Sequence, residues 1–248
     1  MGDPPKQRKL WLDWQRGLAV LFMIEWHTYD SWRLDSVASG STHELLNLIG
    51  GFAAPSFLYM AGMSQLLGDA AQERKGIPVV TRRTGALRRA LWLLGVAYAF
   101  RIAEYLLGGA YKVPGGWEGI LKVDVLNIIA VSLFVAALFT VGPRPRTHVT
   151  IAIAAACAVA LLSPPIAAWK HAPSRILDYL YSEWPRGIFY LFPWAAFAFV
   201  GSALGRLAMK DQKPLLWTGI GFALIALGFA SDRLPPFYAH QEIGRAHV

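Results

Sequence analysis

Apolar runs of about twenty residues recur along this chain from near its start almost to its end, and that recurrence decides what it can fold into. A helix of ~20 mostly apolar residues covers the ~30 Å of a bilayer's hydrocarbon. Candidate spans lie at 16–34, 45–68, 88–108, 121–141, 149–168, 187–206 and 215–231. The expectation is an all-α polytopic transmembrane bundle of about seven spans. Only 16% of residues are charged, against about 25% in soluble domains. Charge at a bilayer centre costs several kcal/mol, which accounts for the deficit.

The net charge of +8 does not point to nucleic acid, because the basic residues fall in short loops between apolar runs. There they read as topology. Fifteen Lys and Arg fall on one side, including Lys6, Arg8, Lys9 and Arg16, the group from Arg74 to Arg89, Arg144 and Arg146, and Arg206. Seven fall on the other. The majority side is expected to be cytoplasmic, so the N-terminus is expected in the cytoplasm and the chain to cross the cell inner membrane many times. Trp11 and Trp14 at one end of the first span, and Trp26 and Trp32 at the other, suit interfacial belts. Cys157 is the single cysteine, so no internal disulfide forms. No metal-ligand cluster or phosphate-binding glycine loop is present, and no metal is expected.

Ionisable residues inside the spans carry the functional expectations. In the first span, Asp13, Arg16, Val20, Met23, His27 and Asp30 recur at helical spacing and form one stripe. Arg16 and His27 are about 16 Å apart along the axis. This face is expected to look into the bundle or a water-filled cavity. His27 is there either as a structural histidine or as a functional group; a membrane setting shifts weight toward the second without deciding between them. Arg101 and Glu104, three apart in the third span, share a face. They form either a self-neutralising pair that fixes packing or the lining of a substrate path. Pro55 and Pro193 each remove a backbone donor within a span, and Pro164 with Pro165 is expected to end the fifth.

Three stretches together resemble one known family. They are LDWQRGLAVLFMIEWH at 12–27, GFAAPSFLYMAGMS at 51–64 and FPWAAFAFVGSALGR at 192–206, with DVLNIIAVSL at 124–133 a looser match. The resemblance is to the heparan-α-glucosaminide N-acetyltransferase catalytic-domain family, transmembrane acyltransferases related to the acyltransferase-3 group. It implies transfer of an acetyl group from cytoplasmic acetyl-CoA, the co-substrate, to an extracytoplasmic glycan-like acceptor. By position, His27 falls on the family's polar residue ending the first helix, and His43 lies near its catalytic histidine. A histidine can serve as general base for acyl transfer. Arg16, Arg82, Arg83, Arg88 and Arg89 are candidate cations for the CoA phosphates, with positive-inside topology as their plainer explanation. Asp30, Arg101 and Glu104 are candidates for the substrate path. The partners expected are the bilayer, acetyl-CoA, a small acceptor and a second copy of the chain, with no nucleic acid.

The rival from another class is a transporter or channel using Arg101, Glu104 and His27 as a substrate or proton path; the absence of a visible inverted repeat counts mildly against it. The last seven residues, EIGRAHV at 242–248, resemble the translation of a sequencing adapter. On that reading residues 1–241 are an incomplete acyltransferase-like domain, cut short at the C-terminus, and 242–248 are not native.

Overall fold

The computed structural model describes residues 10–34, 40–168, 177–181 and 189–210, with isolated positions at 219, 221, 223 and 226. Seven helices fall within these residues: α1 (Leu10–Trp32), α2 (Ser41–Gly51), α3 (Ala53–Arg74), α4 (Val79–Leu107), α5 (Val125–Thr140), α6 (Pro145–Ala168) and α7 (Leu191–Lys210). Short 3-10 turns at Ala110–Lys112, Gly116–Leu121 and Leu177–Tyr179 fill two of the connections. The all-α expectation is met. The seventh expected span, 215–231, lies outside the described residues apart from isolated positions, as does the whole of 242–248.

Ser41–Arg74, Val79–Leu107 and Pro145–Ala167 are each long and apolar enough to cross a membrane, while Val125–Thr140 and Leu191–Leu207 are shorter apolar helices. The expected span at 45–68 is therefore two helices meeting at Phe52. Pro55 lacks the N–H that would bond the Gly51 carbonyl, and the turn tightens there, with Phe52 N–H donating to Ile49 O. The third span starts nine residues earlier than expected, at Val79. Only residues 75–78 separate α3 from α4, so Arg82, Arg83, Arg88 and Arg89 sit on helix rather than in a loop.

Two proline expectations are corrected. Pro164 and Pro165 do not end α6, which runs on to Ala168. Proline's φ is helical, so in a final turn it costs hydrogen bonds without forcing a stop. Pro193 is no break within a span. Phe192 is non-helical (φ −105°, ψ 111°), so the regular helix begins at Pro193, where no donor is needed.

Packing centres on α7, which lies against α3, α5 and α6, while α4 packs on α5 and α1 on α3. Leu58, Val123, Ile128, Ile129 and Ala198 form one core cluster. Ala136, Ala156, Val159, Ala195 and Phe199 form the next. The tightest approach is between α3 and α7. A Cβ added to Gly62 would lie 1.9 Å from the Ala198 carbonyl oxygen, and one added to Gly201 would lie 1.9 Å from that of Tyr59. Gly205, one turn beyond Gly201, lies more loosely against the side chains of Met63 and Leu66, each 3.0 Å from an added Cβ. Lipid is as apolar as leucine, so membrane helices associate through such close backbone contact at small residues.

The interhelical polar contacts sort into two ends. Asp69, Glu73, Arg82, Val141, His148, Ser202 and Arg206 gather at one, the end rich in basic residues. Tyr98, Arg101, Glu104, Asp124, Asn127 and Tyr179 gather at the opposite end.

Candidate functional site

At the basic end, Arg82 of α4 and Asp69 of α3 form a buried ion pair of 2.7 Å, with side-chain exposures of 4% and 8%. Glu73 lies 4.0 Å from Arg82 and 3.3 Å from Arg206 of α7, so the pair is tied into a chain of charges across three helices. Arg83 donates to the Val141 carbonyl at 2.9 Å, closing the α5–α6 turn onto α4. His148 is buried beside it, with Nδ1 2.8 Å from the Thr140 carbonyl and Nε2 3.0 Å from Ser202 Oγ. Because a carbonyl only accepts, Nδ1 carries the proton and Nε2 accepts from Ser202. Arg88 and Arg89 are exposed and make no ion pair among the described residues. The four arginines thus divide: Arg82 and Arg83 hold helices together, and Arg88 and Arg89 remain available to an anion.

At the opposite end, Arg101 donates to Glu104 at 2.6 Å and to Asp124 at 2.7 Å. The i,i+3 pair expected from spacing is present, and Asp124 completes it from the next helix. Asp124 also caps α5, accepting from Val125 N–H at 2.6 Å while Asn127 Oδ1 accepts from its backbone N–H. Asn127 reaches on to Tyr179 at 3.1 Å, and Tyr179 shares a 2.6 Å hydrogen bond with Tyr98. Burial, reinforced by the Tyr98 contact, pushes the Tyr179 hydroxyl above the usual tyrosine range. Burial and then the Arg101 charge push the neighbouring Lys122 ammonium down.

Asp124 therefore does two separable jobs. Asp124→Asn keeps a capping oxygen and loses the charge, whereas Asp124→Ala loses both. The alanine variant is expected to be less stable than the asparagine variant by about 1 kcal/mol, the worth of an N-cap. Melting of the two variants in detergent measures the difference, and equal melting would remove the capping role.

The α1 stripe does not face inward as a unit. The buried residues of α1 are Leu12 and Ala19, seven positions apart. Arg16 lies at the edge of that face, bonded to Asp13 at 3.3 Å and to Ser64 of α3 at 2.8 Å. His27 is exposed, and Asp30 pairs outward with Arg33 at 3.1 Å. Leu12 and Ala19 take the buried position on α1, and the charged stripe lies beside them, with Arg16 hydrogen-bonded to α3. His43, at the start of α2, is half-buried, and its Nδ1 is 3.1 Å from the Tyr29 hydroxyl of α1. No hydrogen bond or ring contact joins His27 to His43 among the described residues.

Several of these groups escaped sequence reasoning. Asp124 with Asn127 three residues on is a readable capping signature ahead of an apolar run. Asp69, His148, Tyr98 and Tyr179 carry no local signal, because their partners come from other helices. Among the described residues no group of three or more His, Cys, Asp or Glu could hold a metal ion.

A family model described as heparan-alpha-glucosaminide N-acetyltransferase, catalytic, matches residues 8–241. No curated protein and no solved structure matches the chain. The match runs from just before α1 through every described helix, and the apolar helices agree with a membrane-embedded acetyltransferase. The chain belongs to the heparan-alpha-glucosaminide N-acetyltransferase catalytic family.

Proposed function

We propose that the chain transfers acetyl from cytoplasmic acetyl-CoA to a glycan-like acceptor on the far side of the membrane, with His43 as general base. The observation that carries this reading is the family match over 8–241. The basic end, with Arg88 and Arg89 exposed on the first turns of α4, faces the cytoplasm and offers cations to the CoA phosphates. Arg82 and Arg83 are already engaged within the protein. His43 and His27 stand toward the other end, at the start of α2 and near the end of α1. There an imidazole nitrogen takes a proton from the acceptor hydroxyl or amine as it attacks the acetyl carbonyl. His27 supplies a second polar group to the acceptor. Arg16 holds α1 to α3, and Asp30 and Glu104 give the acceptor's approach a polar lining.

The test is transfer of radiolabelled acetyl from acetyl-CoA to glucosamine by membranes carrying the protein. His43→Ala is expected to lower the rate by at least about 10²-fold, the contribution of a positioned base. Arg88→Ala with Arg89→Ala is expected to raise the KM for acetyl-CoA by about 10²-fold or more while the maximal rate holds, since each charge-assisted contact is worth about 1.5–3 kcal/mol. Undiminished labelling in both His27→Ala and His43→Ala would remove the histidines from the site. Ion flux through the protein in liposomes, with no labelling, would move the reading to transport.

A further inference from the structure

His43 is held by more than one contact. Its Nδ1 lies 3.1 Å from the Tyr29 hydroxyl, and its ring stands against Trp26 and Tyr29 with centroids 6.2 and 5.8 Å away. Trp26 and Tyr29 touch each other in turn, at 5.9 Å. Trp26 is seated by Gly50 of α2, where an added Cβ would come within 2.6 Å of Trp26 Cβ. Only glycine lets α2 lie this close to α1, and that approach brings His43 to Tyr29. A neutral imidazole carries its proton on one nitrogen and a lone pair on the other. With Nδ1 engaged by Tyr29, Nε2 is the nitrogen left to meet a reacting group.

We propose that Tyr29 is a positioning residue whose hydroxyl oxygen accepts a hydrogen bond from His43 Nδ1–H, holding the tautomer in which Nε2 offers its lone pair to the acceptor. This rests on the reading of His43 as the base. In the step so arranged, the acceptor's oxygen or nitrogen forms a bond to the acetyl carbonyl carbon and its proton passes to Nε2. The thioester C–S bond breaks, and the sulfur leaves with the electron pair as a thiolate, which then takes the proton from Nε2. The Nδ1–H bond to Tyr29 is kept in the neutral and in the protonated ring, so the imidazole need not reorient between the two transfers. Tyr29 fills the orienting place that a carboxylate takes in a catalytic triad. Being neutral, it contributes orientation and tautomer rather than a full charge.

Two readouts test the proposal on the full chain. The first needs no turnover. In protein labelled with 15N-histidine and held in nanodiscs, the His43 signals are identified by their loss in His43→Gln. At a pH where the ring is neutral, Nδ1 is expected to be protonated and Nε2 bare. Tyr29→Phe, which keeps the ring packing on Trp26, is expected to shift the proton toward Nε2. A wild-type His43 protonated on Nε2 overturns the proposal.

The second readout is the rate. Tyr29→Phe is expected to lower kcat about tenfold, a fraction of the ~10²–10⁴-fold that a positioned base supplies. The KM for acetyl-CoA and for glucosamine should stay unchanged, and Tyr29→Phe should add no further loss to His43→Ala. A Tyr29→Phe variant at wild-type kcat, beside an inactive His43→Ala, overturns the positioning role alone. A fully active His43→Ala overturns the base reading and the positioning role with it.

Discussion

Gly62→Ala and Gly201→Ala should each cost this protein much of its folded population, although each adds a single methyl group. The added Cβ would sit 1.9 Å from a backbone carbonyl oxygen on the facing helix, Ala198 for the first and Tyr59 for the second. A carbonyl in the middle of a helix cannot turn away, so α3 and α7 must separate along their whole crossing. Separation loosens Leu58, Met63 and Leu66 on α3 and Ala198 and Phe199 on α7, all of which are buried. Overpacked cores lose about 1–3 kcal/mol, occasionally more, and contact with fixed backbone puts these variants at the upper end. Combining the two should leave little monodisperse protein.

Gly95→Ala on α4 is the control, since nothing stands within 4 Å of the added atom. It should be neutral or slightly stabilising, because glycine is the poorer helix former by about 1 kcal/mol. Thermal melting and size-exclusion profiles in detergent measure all four proteins. A Gly62→Ala protein that melts with the wild type would mean that the two helices do not cross in this contact.

The second large effect belongs to Asp69 and Arg82. Removing one member of a buried ion pair strands the other, at about 3–5 kcal/mol, whereas removing both is far milder. The surroundings add an asymmetry. In Asp69→Leu, Arg82 still has Glu73 at 4.0 Å to turn to. In Arg82→Met, Asp69 and Glu73 are left facing each other with Arg206 as the nearest cation on Glu73. Arg82→Met should therefore melt lower than Asp69→Leu, and the double variant should melt above Arg82→Met. Melting temperatures of the three in one detergent decide it. A double variant that falls by the sum of the two singles would show that the side chains act independently.

These residues also show where sequence reasoning reached and where it stopped. Arg101 and Glu104 could be paired from spacing alone, because one turn of one helix brings them together whatever the rest of the chain does. Their third partner, Asp124, depends on how α5 packs against α4. His43 could be singled out as a candidate, but Tyr29, fourteen residues away, becomes its partner only through the close approach of α1 and α2 at Gly50 and Trp26. In the sequence Arg82 is indistinguishable from Arg83, Arg88 and Arg89, and only the packing of α3 on α4 sets Asp69 against it.

The all-α class, the order and rough placement of the apolar helices, and the family itself, were legible in the linear chain, whereas the split of 45–68 into two helices at Phe52 was not. Span length reports transfer out of water, which each segment undergoes by itself. Which faces then meet was not legible, and the α1 stripe shows why: its charged side was expected to face inward, yet Leu12 and Ala19 make the buried contact. In lipid an apolar face gains little by leaving its surroundings, so hydrophobicity does not choose between faces. That choice rests on shape and on polar partners drawn from different helices: Gly62 and Gly201 passing each other's backbone, Asp69 meeting Arg82, Asp124 meeting Arg101. Each of these contacts exists only once two helices have already come together.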